Sequence, residues 1–126
     1  MGAQSNVALV RDAIDAMNRG DMQVTADALA DDVEWHEIGR SEARHGKAAL
    51  RDAMAGGGAA DYTITAKVHD ILGSEDHTIA LVEATATRGG RTLTYRVAEI
   101  YHIRDGKIAE RWAFSDDTAA IVAFFA

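Results

Sequence analysis

The chain contains no cysteine and no proline. The first absence removes disulfides, thiolate nucleophiles and cysteine-based zinc sites; the second carries no functional conclusion. Aromatic residues are sparse, at 6%. Cations are outnumbered, with 13 Lys and Arg against 20 Asp and Glu, a formal net charge of -7. Nucleic-acid phosphates and anionic membrane surfaces repel such a chain, so neither is expected as a partner. No apolar run approaches the roughly 20 residues that a helix needs to cross a bilayer. The N-terminus lacks a basic segment followed by an apolar core, so no signal peptide is expected and a cytoplasmic location fits. The remainder is ordinary: 126 residues, 48% hydrophobic and 26% charged, as for one soluble domain spanning 1–126 with one core.

The richest stretch is the last third. Residues 91–104 and 107–114 read as two strands joined at Asp105-Gly106, and a second hairpin turns at Gly89-Gly90. Asp-Gly between alternating runs is a strong hairpin signal, because the tight turn needs positive φ at its centre. One face of the first strand carries Leu93, Tyr95, Val97, Glu99, Tyr101 and Ile103. Glu99 is thus a carboxyl group on an apolar face, costly to bury unless partnered or neutral. Upstream, Tyr62, Ile64, Ala66, Val68 and Leu72 share a face of an earlier strand, and another runs from about His77 to Thr87.

The first half has helical periodicity. Val7, Val10, Ile14 and Met17 form an amphipathic stripe, with Ser5 as expected N-cap and Gly20 beyond the C-terminus. Asp21 caps a second helix through about Ala30, and Val33 to Gly39 reads as a short strand. A third helix spans Gly46 to Ala55, stopped by Gly56-Gly57-Gly58. That triplet lacks the Lys-Ser/Thr of a phosphate-binding loop. Asp116 or Asp117 caps a final helix with Ile121, Val122, Phe124 and Phe125. Helices first and hairpin-joined strands second mean an α+β fold with an antiparallel sheet.

Four local segments add to this order: Asn18-Arg-Gly-Asp21, Leu29-Ala-Asp-Asp-Val-Glu-Trp-His36, Arg44-His-Gly-Lys-Ala-Ala-Leu-Arg51 and Asp105-Gly-Lys-Ile-Ala-Glu-Arg-Trp112. Together they resemble the SnoaL-like branch of the nuclear transport factor 2-like superfamily, related to polyketide cyclases and ketosteroid isomerase. The resemblance covers nearly the whole chain. It implies a conical α+β barrel, a curved antiparallel sheet wrapped around N-terminal helices, with an apolar cavity at one end and often a homodimer through the outer sheet face. It does not imply one function, because the fold carries isomerases, cyclases, dehydratases, epoxide hydrolases and non-catalytic binders.

Three residues are the catalytic candidates. The resemblance puts His36 where the isomerase carries its general base, a role histidine suits because it titrates near neutrality; the alternative is a strand histidine bonded to a backbone carbonyl. It puts Glu99 where the isomerase carries a buried acid that donates to the substrate oxyanion; the alternative is a buried Glu paired with an Arg or His. Asp116 lies where SnoaL-like cyclases carry an acidic base, and competes with a plain N-cap role. Trp35, Tyr95, Tyr101, Trp112 and Phe114 are the expected cavity lining.

The five histidines are scattered over different elements and show no metal-ligand spacing, so neither a metal nor a cofactor is expected. The position matching the isomerase's helical Tyr is near Ala13, which argues against steroid isomerisation. Arg96 has the opposite strand parity to Glu99, which argues against the Asp-Arg-Asp set of epoxide hydrolases. The expected function is a cofactor-independent acid/base enzyme acting on a small apolar carbonyl-bearing molecule, of cyclase, isomerase or dehydratase type. The alternatives are a non-catalytic binder of small hydrophobic molecules and an epoxide hydrolase-like enzyme.

Overall fold

The first helix, α1 (Ala3–Asn18), forms because Val10, Ala13 and Ile14 recur on one side and bury together. Its N-cap is Gly2 rather than Ser5, with no side-chain cap, and Gly20 (φ 73°) lets the chain turn out of it. Met17, expected in the stripe, is 45% exposed. Asn18 closes the helix by a two-way clasp: its amide donates to the Ala66 carbonyl (2.7 Å) and accepts from the Ala66 N–H (2.9 Å). Residues 2–53 and 62–126 are described by this computed structural model, with residues 51–53 described in backbone only.

Asp21 caps α2 (Met22–Asp27) by accepting from the Val24 N–H at 3.1 Å. That helix ends three residues before Ala30, because Leu29 and Ala30 join the sheet instead. Strand β1 runs Leu29–Trp35, earlier than expected, and Leu29 pairs with Ile108. A two-residue strand β2 (Arg44–His45), not foreseen, pairs with β1. Helix α3 covers Lys47–Ala53; its expected end at Ala55 and the Gly56-Gly57-Gly58 stop lie outside the described residues.

The long strands follow as expected: β3 (Tyr62–Gly73), β4 (Thr78–Arg88), β5 (Arg91–Arg104) and β6 (Lys107–Ser115). The β5–β6 turn has positive φ at both Asp105 (54°) and Gly106 (73°), as a tight hairpin requires. The six strands are ordered β2-β1-β6-β5-β4-β3, so the sheet is curved but open, with β2 and β3 at its edges. Every pair is antiparallel except β1 with β6. Helix α4 (Thr118–Phe125) closes the chain, capped by Asp117, which accepts from the Ala120 N–H at 3.0 Å.

Two extra residues decide which side chains face the helices. Val68 pairs with Val82 and Asp70 with Leu81, leaving His69 unpaired. Beyond it the faces swap: Ile71 is buried and Leu72, expected inside, is exposed. In the last hairpin Ile103 pairs with Ile108 but His102 with Glu110, so Ala109 is the extra residue. Arg111 therefore lies opposite Tyr101 on the concave face, and Glu110 opposite His102 on the outer face. The concave face carries two apolar clusters. One joins Val10, Ile14, Val33 and Leu50 to Tyr101 and Ile108; the other joins Tyr95 and Val97 to Ile121 and Phe124 of α4. Burial of each large aliphatic side chain contributes about 1.5–3 kcal/mol.

The Asn18 clasp ties α1 to β3 across a long sequence separation. Asn18→Ala is expected to lower stability by about 1–2 kcal/mol, since two hydrogen bonds are lost at a partly solvated site. A urea midpoint equal to that of the native chain would show that the clasp contributes nothing.

Candidate functional site

Glu99 does face inward, and its immediate neighbours leave it room. Its cross-strand partners are Ala80 on β4 and Ala113 on β6, while Val97 and Tyr101 flank it along β5. In this apolar surround the carboxylate has two partners. Arg111 Nη2 donates to Oε2 at 2.5 Å, and the Tyr101 hydroxyl donates to Oε1 at 3.1 Å. The two charged side chains are 11% (Arg111) and 14% (Glu99) exposed. Arg111 is anchored further: Nη1 donates to the His36 carbonyl at 3.2 Å, and its guanidinium carbon lies 4.7 Å from the centre of the Trp35 ring. Its buried Nε–H has no hydrogen-bond partner among the described residues.

The electrostatics follow from this packing. Burial disfavours the charged form of Arg111, but Glu99 and Tyr101 more than offset it, so the guanidinium is held more firmly protonated than usual. A charge this buried needs a counter-ion, and Glu99 is the carboxylate in contact with it. Burial, reinforced by the Glu99 charge, pushes the Tyr101 hydroxyl far above its ordinary value. Tyr95 is shifted the same way, chiefly by burial. The Glu99–Arg111–Tyr101 group thus sets a fixed cation, a carboxylate and a neutral phenol between two apolar clusters. A depression of about 320 Å3 lies between residues 36–40 and β6, lined by His36, Ile38, Trp112, Ala113, Phe114 and Thr118 among others; it reaches Ala113 but is lined by none of Glu99, Arg111 and Tyr101.

The other two catalytic candidates are elsewhere. On β1 the buried Val33 and Trp35 point inward, so Glu34 and the following His36 point outward. His36 Nε2 is 3.2 Å from Glu110 Oε2, and its ring centre is 5.6 Å from that of Trp112. His36 and Glu99 therefore stand on opposite faces of the sheet, and the expectation that both serve one cavity is corrected. Asp116 is exposed. Its Oδ1 accepts from the Arg96 N–H at 3.1 Å and its own N–H donates to the Arg96 carbonyl, a strand-end backbone clasp. It borders an outer groove of about 520 Å3 with Leu81, Arg96, Ala98 and Phe114.

Of the five expected lining aromatics, Trp35, Tyr95 and Tyr101 are buried on the concave face. Trp112 and Phe114 are not: they pair with Ile100 and Ala98 on the outer face, and Phe114 is 62% exposed. Both corrections trace to the extra residue Ala109. The same shift brings in Arg111, which the sequence pattern alone does not single out. Without a bulge, the Asp105-Gly106 hairpin would set Glu110, not Arg111, beside Tyr101. Arg96 does point outward, as its parity predicts, but Arg111 supplies a cation beside Glu99.

Comparison with known proteins agrees with this architecture. Residues 10–111 match the SnoaL-like domain family. Over their full lengths, 100% of each chain, the protein is 31% identical to the uncharacterized protein Rv0034 of Mycobacterium tuberculosis. A solved structure of an LEH-like epoxide hydrolase from M. tuberculosis superposes with a TM-score of 0.80 at 17% identity, covering 90% of this chain and 84% of that one. A putative polyketide cyclase from Xanthomonas campestris pv. campestris superposes with a TM-score of 0.82 at 19% identity, covering 98% of both. At these identities the two structures establish the shared fold.

Breaking a buried ion pair from one side strands the other charge. Glu99→Gln and Arg111→Met are each expected to destabilise by about 3–5 kcal/mol, and the double variant by clearly less than the sum. Additivity within about 0.5 kcal/mol in urea unfolding would mean that the pair is not coupled. A second outcome concerns pH. Folded Tyr101 keeps its proton above the ordinary value of 10.0, where the unfolded chain releases its own. Above that pH the unfolded state binds fewer protons, so stability present below it is lost as pH rises. Tyr101→Phe should shrink the fall in stability between about pH 8 and about pH 10.5, leaving the part due to Tyr95. An equal fall in both proteins would contradict the assignment.

Proposed function

The chain belongs to the SnoaL-like family, and from that premise we propose that it is a cofactor-independent acid/base enzyme for a small, apolar, carbonyl-bearing molecule. The observation that carries this reading is the Glu99–Arg111–Tyr101 group: a carboxylate hydrogen-bonded to a buried guanidinium on an otherwise apolar concave face. The substrate would have to pass Ala113, the cross-strand neighbour of Glu99, which borders a depression shared with His36, Trp112 and Phe114. The substrate's carbonyl oxygen approaches Arg111, whose buried Nε–H is a donor without a partner among the described residues.

Each Glu99 oxygen accepts one hydrogen bond and keeps a lone pair. The carboxylate takes a proton from the carbon α to the carbonyl. The C–H electron pair becomes a C=C bond, the C=O π pair moves onto the oxygen, and the enolate forms beside a cation already in place, which requires no reorganisation. Return of the proton to another carbon is isomerisation; attack of the enolate on a second carbonyl is cyclisation; loss of a β-hydroxyl is dehydration. Arg111 and Tyr101 stay protonated through the cycle, given the direction of their shifts. This reading moves the base from His36 or Asp116 to Glu99. It also makes Arg111, not a neutral Glu99, the partner of the enolate.

The second reading is a non-catalytic binder, favoured by the same feature: both oxygens of the carboxylate are already engaged, by Arg111 and by Tyr101, and the ion pair equally suits recognition of a polar ligand end. Proton exchange separates the two. With 2-tetralone, a small apolar ketone, in deuterated buffer, the enzyme reading predicts accelerated exchange of the α-protons by NMR, lost in Glu99→Gln. Binding of 2-tetralone without accelerated exchange favours the second reading. Exchange that persists in Glu99→Gln removes Glu99 as the base.

A further inference from the structure

Four of the five histidines, scattered along the chain, meet on the outer face of the sheet. Glu34 and Glu110 are register partners on the neighbouring parallel strands β1 and β6. Like charges placed side by side in a sheet repel, so a positive charge between or beside them would relieve this pairing. Imidazoles converge on it from three elements. His36 Nε2 lies 3.2 Å from Glu110 Oε2, His102 Nδ1 lies 3.1 Å from Glu110 Oε1, and His45 Nδ1 lies 3.4 Å from Glu34 Oε1. The His77 ring lies against His102, tilted by 59° with ring centres 4.5 Å apart, and Trp112 borders both His36 and His102. One ligand atom each from Glu34, His36 and Glu110 lies within 4.8 Å of the other two.

From this convergence we infer that Glu34, His36 and Glu110 form a binding site for a divalent transition-metal ion of the zinc type. The donor chemistry fits: one imidazole nitrogen and two carboxylate oxygens suit Zn2+, and the two carboxylates neutralise its charge. The geometry fits as well. Zinc bonds of about 2.0–2.1 Å at tetrahedral angles set neighbouring ligand atoms about 3.3 Å apart, and His36 Nε2 and Glu110 Oε2 already stand at 3.2 Å. Glu34, whose side chain is 44% exposed, closes the remaining gap by rotation about its own bonds. His102 is then a positioning residue: it holds the far oxygen of Glu110, as the partners behind metal ligands commonly do. With three protein ligands on a partly exposed face, the fourth position belongs to water.

This site is separate from the concave-face group, and neither reading depends on the other. The test is binding of Zn2+ to the full chain, freed of metal by chelator dialysis, in competition with a chromogenic zinc indicator. One Zn2+ per chain at micromolar protein is expected. Both His36→Ala and Glu110→Gln should weaken it more than tenfold, and His102→Ala by about tenfold. His69→Ala, away from the cluster on β3, should leave it unchanged. Bound Co2+ should give the intense visible absorption of a low-coordinate site, lost in the same variants, while circular dichroism confirms that each remains folded. No stoichiometric binding by the native chain would overturn the inference. So would binding that His36→Ala and Glu110→Gln leave intact, or that His69→Ala reduces as much.

Discussion

A buried ion pair has to be built around. The Glu99 carboxylate and Arg111 guanidinium lie among apolar side chains on the concave face, where neither charge is tolerable alone. Much of the local structure serves that contact. Ala80 and Ala113 leave space on either side of Glu99. Tyr101 occupies its second oxygen, Trp35 backs the guanidinium, and the backbone of His36 takes a further Arg111 donor. The two apolar clusters meet around this polar group, one under α1 and one under α4.

The pair exists because β6 carries one residue too many. Ala109 has no partner on β5, and a single extra residue reverses every side chain beyond it. That reversal sends Arg111 inward to Glu99 and Glu110 outward to His36 and His102. It also turns Trp112 and Phe114 onto the outer face. One bulge thus sets up two polar assemblies on opposite sides of the same open sheet, an ion pair on its concave face and a His/Glu cluster on its outer face.

The secondary structure was largely legible because its signals are local. Asp105-Gly106 and Gly89-Gly90 specify their turns, and Asp21 and Asp117 their helix starts. Alternation along β5 was enough to place Glu99 inside. The bulges at His69 and Ala109 have no comparable signature: neither carries a glycine or a proline, and their effect appears only when the paired strand is counted. Arg111 was missed for that reason. The shift of β1 to Leu29–Trp35 was hidden differently, since Leu29 and Ala30 suit a helix as well as a strand and only the pairing with Ile108 decides. For His36 the family resemblance and the strand parity disagree: the resemblance points it into the cavity, whereas alternation with the buried Trp35 points it outward. Convergence of His36, His45, His77 and His102 is a product of strand order, which spacing along the chain does not encode.

SnoaL-like chains share a frame and vary the polar groups inside it, so the identity of those groups bears more on chemistry than the fold does. Here the inner group is a carboxylate clamped by a cation. The most direct measurement is the side-chain NMR spectrum of Arg111 in the intact protein. A guanidinium locked to Glu99 and stacked on Trp35 should give separate, slowly exchanging Nη–H signals near neutral pH, which collapse in Glu99→Gln. A single averaged, rapidly exchanging signal in the native chain would mean that Arg111 is solvated and that the concave face is not organised around this pair.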